Sequence, residues 1–206
     1  MASFVKALPD LDRNFDVYVI HSLNTMDGGT RQIGGKTYFI FGIDGMVNYH
    51  RGLSTEIPFF HHELFHMYHG QYVAETEQIW LALWMEGLAT YASKELNPSA
   101  TYQEFLDFSP GMGMVSAIDS KLAWHWKHLS ARLDSTDPAD YESYFLGSSK
   151  STDVVGRAGY YLGYKVAAEV GKTMSLSQMA QLKVADVYPL VKATVQTLSQ
   201  RAGNVD

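Results

Sequence analysis

The chain has 206 residues, enough for one domain or two small lobes sharing a cleft, and its 46% hydrophobic against 18% charged content excludes a disordered chain. The net charge is −6, and no basic run or stripe interrupts it, which argues against nucleic acid and anionic membrane surfaces as partners. There is no cysteine, so disulfides and thiolate metal sites are excluded, and any metal must rest on His, Asp or Glu.

No apolar stretch approaches the ~20 residues that span a bilayer, so no membrane insertion is expected. The opening residues Met1 to Lys6 lack the charged and apolar regions of a signal peptide, although a start residue placed on a truncated mature chain would look the same. Absence of cysteine fits a periplasmic or secreted protein, but many cytoplasmic proteins share it, and localisation stays open.

Along the first fifty residues the pattern is that of strands and turns. Asp16–Ile20 and Thr37–Phe41 are β-branched and aromatic runs, and Gly28-Gly29 and Gly34-Gly35 are expected to break the chain between them. From about residue 58 the pattern becomes helical. Pro58 suits a first turn, and Gly70 suits an end.

A second helix is expected from Thr76 to Leu96, before Asn97-Pro98. Thr101 with Glu104 forms a capping box for a short third helix, and Ser109–Gly113 reads as a loop. Helical segments are predicted near 114–133, 138–146, 156–171 and 175–199, the last broken near Pro189. The expected fold class is α+β within one catalytic domain, with a small β-rich lobe over 1–53 and a larger helical lobe over 54–206.

The chemistry concentrates in the first long helix. His62 and His66 are four residues apart, hence one turn apart on one face, and two imidazoles so placed can converge on one tetrahedral Zn²⁺. Glu63 is rotated by ~100° from His62, beside the metal, where it can accept a proton from water. H-E-x-x-H on a helix is the zincin signature, although short motifs also arise by chance. Phe59, Phe60, Leu64, Phe65 and Met67 make this helix apolar, and buried polar groups on such a helix need partners.

His69 extends the pattern, but it lies seven residues from His62, roughly 10 Å along the axis, too far to share one ion. It is expected beside the site or on the surface. Glu86, in Leu83-Trp84-Met85-Glu86-Gly87-Leu88-Ala89-Thr90-Tyr91, is the better third ligand, since a returning helix would bring it back over the first. Gly87 in mid-helix suggests a close helix–helix approach.

Together, His62-Glu63-Leu64-Phe65-His66 and Trp84 to Tyr91 resemble the gluzincin metallopeptidases, the thermolysin-like and aminopeptidase-like group, over about forty residues. Gly159-Tyr160-Tyr161-Leu162-Gly163-Tyr164 is similar to a segment of a small bacterial family of predicted zinc-dependent proteases. The resemblance implies a thermolysin-like zincin core, with Zn²⁺ on His62, His66 and Glu86 and Glu63 as general base. It also implies a supporting residue at Thr90, where the family often has an acid, and an oxyanion donor at Tyr160 or Tyr161. Arg157 and His125 are the fallback donors.

The implied partner is a peptide or protein substrate lying along an edge strand at Thr37–Phe41. Two other readings remain: a non-catalytic zinc-bound interaction module, against which the presence of Glu63 counts, and a metallohydrolase of a non-peptide amide. His125 and His128 are expected to pack or face solvent. His21, His50 and His61 show no partner in the sequence.

Overall fold

The structure, a computed structural model, describes residues 2–73, 78–107, 113–146 and 153–204. The class is α+β, as expected: a three-stranded mixed sheet and a larger set of helices. The start of the second helix expected at Thr76 and most of the loop at 109–113 lie outside the described residues. The chain divides into two compact units, one of Met1–Gln71 with Ala92–Met112 and one of Tyr72–Tyr91 with Gly113–Asp206.

In the first unit, α1 (Ala2–Ala7) precedes β1 (Val17–Ile20), β2 (Gly28–Ile33) and β3 (Lys36–Gly42). The strand order is β1-β3-β2, with β1 parallel and β2 antiparallel to β3. Two expectations change here. The Thr37–Phe41 segment is the central strand, its backbone paired on both sides, so it cannot edge a cleft. Gly28-Gly29 does not break the chain but opens β2. Gly28 sits where a β-carbon would stand 2.7 Å from Phe59, so only glycine lets the strand lie this close to the helix beneath it.

That helix is α3 (Ile57–His69), reached through α2 (Ile43–Tyr49). Pro58 stands in its first turn as expected. Phe59, Leu64, Phe65 and Tyr68 are buried, and edge-to-face contacts run from Phe15 through Phe39 and Phe41 to Phe59. Phe4 of α1 packs on His61 and Tyr68, while the Tyr68 hydroxyl donates to Asp10 at 2.9 Å.

The next helix, α4 (Ile79–Leu96), contributes Ile79–Tyr91 to the second unit and its last turn and a half to the first. That last part is tied to α3 by Ser93 Oγ donating to the Pro58 carbonyl at 2.6 Å and by Asn97 Nδ2 at 2.8 Å from His61 Nδ1. Half of the box at Thr101 forms: the Glu104 carboxylate accepts from the Thr101 amide at 2.8 Å and from its hydroxyl at 3.0 Å, while the Glu104 amide donates to the Thr101 carbonyl, ahead of a π-helical turn at Gln103–Asp107.

The second unit holds α5 (Met114–Asp119), α6 (Leu122–Ser130), α7 (Pro138–Tyr141), a π-helical turn at Glu142–Leu146, α8 (Ala158–Val170), α9 (Leu176–Ala180) and α10 (Val184–Gly203). Helix α10 packs on α6 and α8. The break expected at Pro189 falls earlier, between α9 and α10, and Pro189 lies inside α10. Capping decides this: Ser175 and Gln178 close a full capping box that starts α9, a short helix of its own. In the same unit Gly87 of α4 meets Gly163 of α8 so closely that a β-carbon on Gly87 would stand 2.2 Å from the Gly163 carbonyl carbon.

Candidate metal centre

Helix α3 presents its polar residues in two ways. His61 and His69 are buried on its core side, and burial lowers the pKa of both. His69 has no exposure, and burial together with the nearby His66 brings its imidazole down to about 3. The surface position considered for His69 is therefore wrong. It is a neutral core side chain against Phe65, with ring centroids 5.3 Å apart.

His62 and His66 turn their rings toward each other instead, with Nε2 atoms 3.0 Å apart. Tetrahedral ligands with bonds of about 2.0–2.1 Å stand roughly 3.3 Å from each other, so this spacing fits two donors to one small ion. One ligand atom each from His62, His66 and Glu86 lies within 4.8 Å of the others. His62 is buried, His66 and Glu86 are half-buried, and one Glu86 carboxylate oxygen is shielded from solvent. Two imidazoles and a carboxylate without thiolate are a donor set that Zn²⁺ accepts.

Glu63 stands half-buried on the β2 side of α3. A β-carbon on Gly29 would lie 3.6 Å from Glu63 Oε2, so β2, an edge strand, passes directly beside this carboxylate. Gly29 has φ +138°, a backbone conformation that L residues rarely adopt. The edge beside this carboxylate is thus β2, and not the Thr37–Phe41 segment expected from the resemblance.

Thr90 is fully buried, and its hydroxyl donates to the Glu86 carbonyl one turn back at 2.8 Å, so it braces α4 itself instead of orienting an imidazole. Tyr161 is buried, and its hydroxyl donates to Asp119 at 3.0 and 3.1 Å, with Lys165 Nζ 4.5 Å from its ring centre. Tyr160 is half-buried, with the Arg157 guanidinium 4.5 Å from its ring centre. Arg157 holds a left-handed backbone, φ 61°, at the start of α8.

His125 is fully buried and makes no hydrogen bond among the described residues, which fits a core histidine and not a donor to substrate. His128 stacks on Trp124, with Nδ1 2.6 Å from the Tyr144 hydroxyl. The partners that the sequence hid for three other histidines are acids and an amide. Asp44 lies 3.4 Å from His21, Asp27 and Glu56 lie 3.3 and 3.6 Å from His50, and Asn97 meets His61. Except for His50 with Glu56, these pairs lie more than twenty residues apart in the chain, so only proximity in the fold reveals them.

Among the described residues, no helix is long and apolar enough to cross a membrane. No protein-family model, curated protein or solved structure matches the chain.

Proposed function

We propose that this protein is a zinc-dependent peptide hydrolase built on a thermolysin-like zincin core, with His62, His66 and Glu86 as ligands. The observation that supports the reading is that one ligand atom each of His62, His66 and Glu86 lies within 4.8 Å of the others, with Glu63 next to His62 in the chain on α3. When bound there, Zn²⁺ supplies Lewis acidity and lowers the pKa of water toward neutrality.

The protein's own groups do the rest. Glu63 takes a proton from the attacking water and returns it to the leaving amine. Tyr160 donates a hydrogen bond to the carbonyl oxygen as negative charge develops on it, a contact that strengthens only toward the transition state. Arg157, stacked on the Tyr160 ring, keeps that ring in place. The open backbone edge of β2 beside Glu63 supports an extended peptide as substrate, since an added strand is held by main-chain hydrogen bonds whatever its side chains.

A purely structural zinc site would need the three ligands but no carboxylate at Glu63. The test follows from that difference. Glu63→Gln should retain zinc yet lose about 10²–10⁴-fold in hydrolysis of an unfolded protein, read as released amines. Chelation should abolish the wild-type rate, and added Zn²⁺ should restore it. A wild-type protein that binds zinc but releases no amine from any unfolded protein or peptide would leave the non-catalytic module as the reading.

A further inference from the structure

Strand β1 has an unusual surface. It lies at the edge of the sheet, paired only to β3 among the described residues. All four of its side chains are exposed: Val17 54%, Tyr18 41%, Val19 63% and Ile20 42%. Edge strands are normally protected by charge, proline or a bulge, and this one has none of them. The opposite edge, β2, carries Arg31, Gln32 and the Gly29 distortion.

The apolar surface continues past the end of β1. Ile20 pairs with Gly42, and Ile43 follows at once as the first residue of α2. Ile43 and Val47 are one turn apart, and both are exposed. Leu23, 79% exposed, is displayed on a built loop. Leu23 and Asn24 both have φ 57°, and the Asp44 carboxylate clamps them by accepting from the Ser22 amide, the Asn24 amide and the Ser22 hydroxyl at 2.7, 2.6 and 2.9 Å. Burial alone would raise the Asp44 pKa, but these three donors hold it well below the ordinary carboxylate range. The clamp is therefore charged at neutral pH.

We propose that this surface pairs with the same surface of a second copy of the chain, joining two three-stranded sheets into one across a two-fold axis. The exposed parts of these side chains offer on the order of 800 Å², the share of one partner in a standard stable interface. Side chains of β1 alternate between the two faces of the sheet, so a strand added at this edge covers apolar groups on both. The protein's net charge of −6 disfavours an anionic lipid surface as the occupant.

Self-pairing also satisfies the backbone. In an antiparallel pair, residues of the same parity stand opposite, so the axis passes through a residue and not between two. Placed at Val19, it sets Val19 against Val19 and Tyr18 against Ile20, with no like charges opposed. Placed at Tyr18, it would set Asp16 against Ile20.

The chain contains no cysteine, so one introduced thiol reports cleanly. Under mild oxidation Val19→Cys should form a covalent dimer, and Gln32→Cys on β2 should not. Sedimentation equilibrium at micromolar concentration should show a wild-type dimer. Val19→Lys and Leu23→Glu should each give a monomer with unchanged circular dichroism and melting. Leu23 lies outside the sheet, so its variant reports even if Val19→Lys impairs folding. A wild-type monomer, whether or not it binds zwitterionic vesicles, would overturn the proposal. So would a dimer that persists in both charge variants.

Discussion

Helices α3 and α6 both carry paired histidines among aromatic residues, yet the two pairs behave differently. In α3 the histidines are four apart, and their Nε2 atoms meet at 3.0 Å near the Glu86 carboxylate. In α6 they are three apart: His125 goes into the core, and His128 stacks on Trp124 and meets Tyr144. Burial pushes both α6 imidazoles down in pKa, and they stay neutral as part of the packing. A histidine pair becomes a candidate metal centre only when one nitrogen from each ring reaches the same point and a carboxylate stands there too. Spacing on a helix is necessary for that and not sufficient.

The same contrast divides the adjacent tyrosines of α8, and it carries the largest expected effect there. Tyr160→Phe should lower kcat by about 10²–10³-fold with KM nearly unchanged, because the lost hydrogen bond belongs to the transition state. Tyr161→Phe should leave kcat alone and lower stability by about 1 kcal/mol through its lost bond to Asp119. Steady-state kinetics of the two variants side by side check this. If Tyr161→Phe were the inactive one, the roles would be reversed.

A smaller effect concerns the scaffold that carries Glu86. A β-carbon at Gly163 would stand 2.3 Å from the Leu83 carbonyl oxygen, so Gly163→Ala must push α4 and α8 apart. It should destabilise the protein by about 1–3 kcal/mol in denaturant titration, while Gly203→Ala, where nothing stands within 4 Å, should not.

The mildest test is pH. In metal-free protein, His69 is held at about 3 against an ordinary value of 6.5, so the folded state resists a proton that the unfolded chain accepts. Its contribution to stability is complete above pH 6.5 and is lost progressively as pH falls from there toward 3. His61, His125 and His128, also lowered, act in the same direction. Replacing His69 with Leu should flatten the fall in melting temperature between pH 6.5 and 4.

How much of this was legible in the sequence depends on range. The His62–Glu63–His66 turn was readable because a helix makes neighbours of residues four apart. Glu86 stood out because it lies with a glycine inside the apolar run Ile79–Tyr91, although that glycine meets α8 at Gly163. Strand order was not readable: β3 carries the same aromatic alternation whether central or at an edge, and Gly28-Gly29 looks like a turn until Phe59 is seen beneath it. The partners of His21 and His50 include acids more than twenty residues away, Asp44 on α2 and Asp27 before β2, which no local pattern announces. Helix α1, only six residues long, leaves too short a trace to be read.

Zinc content is the most direct measure of the central claim. Elemental analysis after incubation with Zn²⁺ and removal of free metal should find about one ion per chain in wild type. The double change His62→Ala and His66→Ala should abolish it, and Glu86→Ala should weaken it. His125→Ala with His128→Ala should retain the full ion. A wild-type chain that takes up no zinc, or equal loss from the α3 and α6 variants, would contradict the account.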